Sequence, residues 1–458
     1  MKSAKRKTTI KLKSIKNPNL PPKLQKINPS LPSPSKLSIP SPQKLFGELN
    51  TKKPSLLKRL PSLSPSKHNL KSSNKKSMTR TKRNLSLENI FQGPKATLSL
   101  KRNESLPDIQ NNIKEWNISE IPYTVKDVLK YFNFALTSFE KVEIREFENI
   151  YYLGMGVVKL ITNLKVKNFG FDDERNDLIL IRSDHLLYRF EIFEIIGCGS
   201  YGQVVKVFDH KEQKILAAKI LRSMSCITNQ AKIELQILDK LGESGNRSVI
   251  KILENFVFRG HIIETFELLD MNFYEIIQFK GVIIDIKSIK LYARQILEGM
   301  EHYSELSVIH CDLKPENIML DQPKNQAVII DFGSACFENN KLYTYIQSRC
   351  YRAPEVIFEI GYDIKIDIWS FGCILAELLL GFPLFTGKNE SLLLASIIEV
   401  LDFPPPSLFK KSKKSLSLLP KLKRALSNHK SLNLPGSRPL YSLFNEYPLF
   451  LSFLSRSS

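Results

Sequence analysis

His310-Cys311-Asp312-Leu313-Lys314-Pro315-Glu316-Asn317, followed after the apolar run Val328-Ile329-Ile330 by Asp331-Phe332-Gly333, is the stretch that decides how this chain is read. It brings together a candidate proton acceptor (Asp312), a cation (Lys314) and two hard oxygen ligands (Asn317 and Asp331), with Asp312 and Asp331 19 positions apart. Phosphoryl transfer from ATP needs those parts, because charge spreads over the phosphoryl oxygens and catalysis is mostly positioning and charge stabilisation. A carboxylate beside the acceptor hydroxyl orients it and takes its proton. Mg²⁺ prefers oxygen ligands and keeps phosphates in its shell, so an amide and a carboxylate suffice from the protein side. D-x-K-x-x-N or D-F-G alone could be ordinary loop residues; the pair at this spacing is specific.

Upstream, Ile196-Gly197-Cys198-Gly199-Ser200-Tyr201-Gly202-Gln203-Val204 lies between two strand-like runs, 190–196 and 204–208. In a dinucleotide fold such a glycine pattern opens a helix. Here the β-branched Val204 and Val205 continue as strand, which favours a hairpin folded over phosphates, although a ligand-free turn has the same pattern. Ile215-Leu216-Ala217-Ala218-Lys219-Ile220 is an apolar strand with one lysine, costly to bury unless it meets an anion. A helix expected over 229–241 carries Glu234 among Ile233, Leu235, Ile237 and Leu238. Glu234 then faces inward to pair with Lys219, or lies exposed on the helix. The next strand, 262–266, leads into Glu267-Leu268-Leu269-Asp270, whose backbone suits adenine, with Phe266 behind the pocket.

Downstream, Ile289, Ala293, Ile296, Leu297, Met300 and Tyr303 define an amphipathic helix that delivers the chain to Val308-Ile309-His310. A nearly apolar helix over 366–380, with Asp367 and Trp369 and a stop at Gly381, reads as a buried centre. Between them, Tyr343-Thr344-Tyr345-Ile346-Gln347-Ser348-Arg349-Cys350-Tyr351-Arg352-Ala353-Pro354-Glu355 sets two tyrosines against two arginines. A phosphate on Tyr345 adds about −1.5 to −2 charge, which Arg349 and Arg352 can hold. The segment also reads as an unmodified aromatic loop.

The formal net charge of +21 over 458 residues is confined to one end: residues 1–100 hold 23 Lys+Arg against 2 Asp+Glu, and the remainder is balanced. Twelve prolines and sixteen serines there, with few aromatics, cannot offset chain entropy by burial, so residues 1–118 are expected to be a disordered basic tail. Lys5-Arg6-Lys7 and Arg80-Thr81-Lys82-Arg83 fit an import receptor, a polyanion such as nucleic acid or acidic membrane, or a plain solubilising linker. Ser33-Pro34, Ser41-Pro42 and Ser64-Pro65 are weak phosphosites at that composition. The six cysteines form no CxxC pair, which argues against zinc and a disulfide framework and for a reducing compartment, cytoplasm or nucleus. Neither a long apolar run nor a leader pattern occurs, so no membrane span or secretion is expected.

Residues 119–188 turn globular. A helix is expected over 125–143 and a short strand at 150–154, together forming a clasp on the next domain, with Asp172-Asp173-Glu174 as a solvated acidic patch.

These residues resemble the protein kinases, and more narrowly the dual-specificity tyrosine-regulated (DYRK) family. The signs are Cys311 before Asp312, Ser334-Ala335-Cys336 after Gly333, and Tyr343-Thr344-Tyr345-Ile346-Gln347-Ser348-Arg349. The clasp is similar to that family's second class through Leu136-Thr137-Ser138-Phe139-Glu140, Ile150-Tyr151-Tyr152-Leu153-Gly154 and Asp184-His185. The resemblance covers about 120–410 and implies a two-lobed α+β fold, with a nucleotide lobe over 189–270 and a mostly helical lobe over 271–458. It implies Asp312 as base with Lys314 beside it, and ATP held by Ile196 to Val204, Lys219, Glu234 and Phe266 to Leu269. Asn317 and Asp331 would bind Mg²⁺, and Tyr345 would be autophosphorylated by a monomeric kinase that then modifies Ser or Thr of protein substrates. Two departures are noted. The arginine that pairs with Glu355 in the family has no clear counterpart up to 447–454, which leaves a shortened lobe and a catalytically weak scaffold as the rival reading. A Pro/Ser/Lys-rich insert at 404–438 is expected to be partly disordered.

Overall fold

From Phe190 onward buried and exposed residues alternate in strands that curl into one antiparallel sheet. The computed structural model describes residues 115–280, 284–341, 343–412, 414–428 and 435–457. The expectations placed on the basic tail up to residue 114 lie outside them. The sheet comprises β1 (His185–Leu186), β2 (Phe190–Cys198), β3 (Gly202–Asp209), β4 (Lys214–Leu221), β5 (Ile252–Phe258) and β6 (His261–Glu267), in the order β1-β2-β3-β4-β6-β5. Phe190, Ile192, Val205, Val207, Leu216 and Ile263 form its apolar core.

The short helices α1 (Val125–Tyr131) and α2 (Glu140–Glu143) precede the sheet, and α3 (Ser225–Gly242) is inserted between β4 and β5. The expectation of one helix over 125–143 is thus corrected: it breaks after Tyr131, and Phe134 is 75% exposed. The cause is a reciprocal pair of bonds, Glu140 N–H to Thr137 Oγ1 and Thr137 N–H to a Glu140 carboxylate oxygen, which caps a second helix. The strand expected at 150–154 is a single bridge between Ile150 and Tyr123, because the Tyr151 and Tyr152 N–H groups both turn to the Tyr188 carbonyl. Asp172 is not solvated: its Oδ1 accepts from Asn168 and meets His261 Nε2 at 2.9 Å.

The accessory segment is locked to the sheet by charge. Arg259, in the β5–β6 turn, donates to both carboxylate oxygens of Glu143 (3.0 and 2.9 Å) and lies over the Phe171 ring. Glu140, Asp184 and His185 form a buried acidic group with metal-like spacing, but Lys159 Nζ already lies 2.9 Å from Glu140 and 3.6 Å from Asp184. Burial opposes the Glu140 charge, and His185 and Lys159 overcome it, holding that carboxyl well below the usual range.

The helical lobe follows: β7 (Met271–Asn272), α4 (Phe273–Lys280), α5 (Ile286–Glu305), β8 (Val308–Ile309), β9 (Ile318–Asp321), β10 (Gln326–Ile329) and β11 (Cys336–Phe337). Then come α6 (Pro354–Phe358), α7 (Lys365–Leu380), α8 (Glu390–Leu401), α9 (Pro406–Lys411), α10 (Ser415–Asn428), α11 (Leu440–Phe444) and α12 (Pro448–Ser457). Asp285 caps α5 by accepting from the Lys287 and Ser288 N–H groups, and α5 buries Ile289, Ile296, Met300 and Tyr303. Helix α7 is buried on every face through Ile366, Trp369, Phe371, Ile374 and Leu378, and ends at Gly381 with φ +78°. Of the 404–438 stretch, expected to be partly disordered, 413 and 429–434 lie outside the described residues; the rest contributes α9 and α10, and Leu418 and Leu422 of α10 are buried in the lobe core. Glu355 makes no ion pair among the described residues, and burial raises its carboxyl.

Arg259→Ala is expected to destabilise the fold by about 3 kcal/mol, because buried carboxylates lose their cation. The urea midpoint of the variant measures it, and cleavage by a protease within 119–188 should rise in parallel.

Candidate active site

Lys219 stands at the centre of β4, with Val204 of β3 and Glu264 of β6 as its cross-strand neighbours. Its ammonium donates to Glu234 Oε1 on α3 (2.5 Å) and to Asp331 Oδ1 (2.9 Å), so sheet, helix and the D-F-G segment meet at one cation. Burial disfavours the charge on Lys219, yet Asp331 and Glu234 outweigh it and hold that pKa well above its ordinary value. Burial likewise works to raise Asp331, and Lys219 reverses this, bringing it down to about 2. Asp331 is therefore a carboxylate throughout the physiological range.

The glycine-rich hairpin closes between β2 and β3. Gly202 has φ +153°, and a Cβ there would stand 2.0 Å from the Ile220 carbonyl oxygen, so only glycine fits. Arg222, just past β4, donates to the Gly199 and Ser200 carbonyls (2.8 and 2.7 Å). Its other edge makes a two-point contact with Asp177 of the accessory segment (2.8 and 2.9 Å). The Tyr201 hydroxyl reaches Ser334 Oγ at 3.2 Å, joining the hairpin tip to the residue after D-F-G. Of the residues expected at ATP, Gly197 and Cys198 end β2, Val204 lies on β3 and Phe266 and Glu267 end β6, with Leu268 and Leu269 after it. Ile196 is half exposed on β2. The Gln203 side chain turns instead to the Leu178 carbonyl of the accessory segment, at 2.9 Å.

The catalytic-loop residues are held from beneath by Asp367 of α7, which is fully buried. Its carboxylate accepts from the His310 and Cys311 N–H groups (2.7 and 3.1 Å) and from the Tyr303 hydroxyl (3.2 Å). His310 Nδ1 accepts from the Asp312 N–H, and its Nε2 lies 3.0 Å from the Ile330 carbonyl. Cys311 and Asp331 both take positive φ, +64° and +59°, strain that this network holds in place.

Asp312 Oδ2 accepts from Lys314 Nζ at 2.6 Å, while its Oδ1 accepts from Ser348 N–H and Oγ–H (2.9 and 2.8 Å). Burial lowers and Asp312 raises the Lys314 ammonium, with a net upward shift. Asn317 Nδ2 donates to the Asp312 carbonyl (2.9 Å), which leaves its Oδ1 as the ligand atom. An ionised Asp331 and an amide oxygen from Asn317 match the hard donor set that Mg²⁺ prefers.

Between β11 and α6, Tyr345 is 41% exposed, with the Arg352 guanidinium 4.0 Å from its ring centre. Arg352 also donates to the Ile346 and Gln347 carbonyls (2.9 and 2.8 Å) and lies 3.4 Å from Glu390. Arg349, expected to share the phosphate, is exposed and makes no ion pair among the described residues. It sits on a short 3₁₀ turn (Arg349–Tyr351) while Arg352 is packed inward. Sequence reading missed Ser348, Asp177, Arg222 and the anchoring role of Asp367. Only Ser348 carried a local signal, its place three residues after Tyr345.

Sheet, inserted helix and convergent Lys219, Glu234, Asp312, Asn317 and Asp331 define a protein kinase. The family model described as "Protein kinase domain" matches residues 190–428. The similar curated proteins narrow this. The chain is 43% identical over 323 residues to mouse "Dual specificity tyrosine-phosphorylation-regulated kinase 3", covering 69% of this chain and 55% of that protein. It is 39% identical over 349 residues to human "Dual specificity tyrosine-phosphorylation-regulated kinase 4", covering 74% and 67%. It is 41% identical over 337 residues to "Serine/threonine-protein kinase ppk5" of Schizosaccharomyces pombe, covering 70% and 40%. The chain belongs to the dual specificity tyrosine-phosphorylation-regulated kinases, and spans about half the length of the first of these relatives.

Arg222→Gln removes the clamp on the hairpin carbonyls and leaves Asp177 unpaired. Affinity for a fluorescent ATP analogue is expected to fall about tenfold, from the loss of charged hydrogen bonds worth about 1.5–3 kcal/mol, as measured by titration.

Proposed function

We propose that the chain is an ATP- and Mg²⁺-dependent protein kinase that phosphorylates serine and threonine of protein substrates and its own Tyr345. The observation that carries this reading is the shared contact of Lys219 with Glu234 and Asp331 in a chain whose Asp312 is paired with Lys314. Lys219 holds the α- and β-phosphates, and the glycine-rich hairpin from Ile196 to Val204 covers them with backbone N–H groups. Phe266 backs the adenine, which meets the backbone of Glu267 to Leu269. Asn317 Oδ1 and Asp331 would hold Mg²⁺, which would supply positive charge to offset that developing on the phosphates.

Asp312 orients the acceptor hydroxyl and takes its proton at a carboxylate oxygen, while Lys314 offsets charge on the transferred phosphoryl. Ser348 holds Asp312 in register from the activation segment, so the state of that segment bears on the base itself. A phosphate on Tyr345 would add about −1.5 to −2 charge beside Arg352 and compete with Glu390 for it, with the exposed Arg349 as second cation.

Intact mass and peptide mapping of the bacterially expressed chain test this. Phosphate on Tyr345 is expected in the parent and not in Asp312→Asn, with transfer to protein substrate reduced about 10²- to 10⁴-fold. A folded parent that neither carries that phosphate nor transfers one defeats the reading.

For the basic tail we infer contact with a polyanion or an import receptor, in a monomer acting in cytoplasm, nucleus or both; the charge of residues 1–100 supports it. Affinity for nucleic acid or acidic vesicles should fall steeply and linearly in log–log form with salt. No binding at any salt removes the polyanion.

A further inference from the structure

Glu264 lies on β6 as the cross-strand neighbour of Lys219. Its side chain is 0% exposed, and neither carboxyl oxygen has a protein hydrogen-bond partner among the described residues. It makes no ion pair with Lys219, whose ammonium is taken by Glu234 from α3 and Asp331 from beyond β10. Two carboxylates thus hold one cation, and a third, unpartnered carboxyl sits on the neighbouring strand. A buried carboxylate with no donor is unfavourable and relieves the cost by keeping its proton. Burial, then the charge of Glu234, and also that of Asp331, push Glu264 up to about 8 against the pull of Lys219.

We propose that Glu264 is a positioning residue for nucleotide binding, a neutral acid packed behind Lys219 that leaves the ammonium free to serve Glu234, Asp331 and the phosphates of ATP. When it releases its proton to solvent it becomes a rival anion beside that ammonium, and the nucleotide is held less well. The inference rests on the kinase reading above. It differs from ordinary packing in one respect: any neutral side chain of this length does the work, and only the ionised form is harmful.

The direction follows from the raised value. Glu264 is neutral below about pH 8 and ionised above it, so affinity for ATP falls as pH rises through that point, by at most about tenfold per pH unit for one proton. Its contribution to fold stability is complete below the ordinary value of 4.5 and is lost as pH rises toward about 8.

The test is titration of the full chain with a fluorescent ATP analogue and Mg²⁺ between pH 6.5 and 9, for the parent, Glu264→Gln and Glu264→Met. The parent Kd is expected to rise about tenfold over the last unit, while both variants stay flat and keep neutral-pH affinity within about threefold. The same alkaline rise in the variants, or none in the parent, overturns the proposal. So does failure of both variants to fold, because glutamine has the shape of the neutral acid. Binding that is present but independent of pH defeats only this proposal, whereas no nucleotide binding at any pH defeats the kinase reading and this one with it.

Discussion

Lys219 Nζ is the point on which the rest of this structure depends. An ammonium group on a central strand is tolerated only where anions meet it, and here they come from two elements remote in sequence, Glu234 on α3 and Asp331 after β10. The pairing therefore works as an assembly condition. The inserted helix must lie against the sheet, and the D-F-G segment must turn toward it, before the lysine's charge is compensated. The same condition brings together the groups that would bind phosphates and metal.

A second buried charge does the corresponding work in the helical lobe. Asp367 sits on a helix that is apolar on every face, where a carboxylate is stable only if donors surround it. Two backbone N–H groups of the catalytic loop and one tyrosine hydroxyl supply them. The loop thereby acquires a fixed shape, including the positive φ of Cys311. Gln347 extends the arrangement: its amide bonds the Ile366 carbonyl, Ser370 and the Ala353 N–H, which pins the activation segment to the same helix. Ser348 next to it then reaches Asp312, so packing beneath the segment sets the geometry of that carboxylate.

The accessory segment takes part in the site rather than resting on the lobe as a passive clasp. Asp177 holds Arg222, Arg222 holds two carbonyls of the glycine-rich hairpin, and Leu178 accepts from Gln203 on the following strand. At its other end Arg259, from the β5–β6 turn, compensates Glu143, while Lys159 compensates Glu140 within the segment itself.

The candidate site residues could be picked out in the sequence because they come in short, fixed spacings: D-x-K-x-x-N, D-F-G, the glycine pattern continuing into β-branched strand, and one lysine in an apolar strand. Their local patterns also marked β2, β3, β4 and β6, though not β5, and the amphipathic and all-apolar helices α5 and α7, since periods of two and about 3.6 are properties of consecutive residues. Patterns that depend on distant partners were misread. Thr137 and Glu140 end an apparent helix, Tyr188 draws away the N–H groups of an apparent strand, and His261 buries an aspartate that looked solvated. Glu264 marks the limit most clearly. In the sequence it is one acidic residue in a strand, and only the tertiary structure brings it beside Lys219 with no donor to meet it, because pairing across β4 and β6 is a contact between residues 45 positions apart.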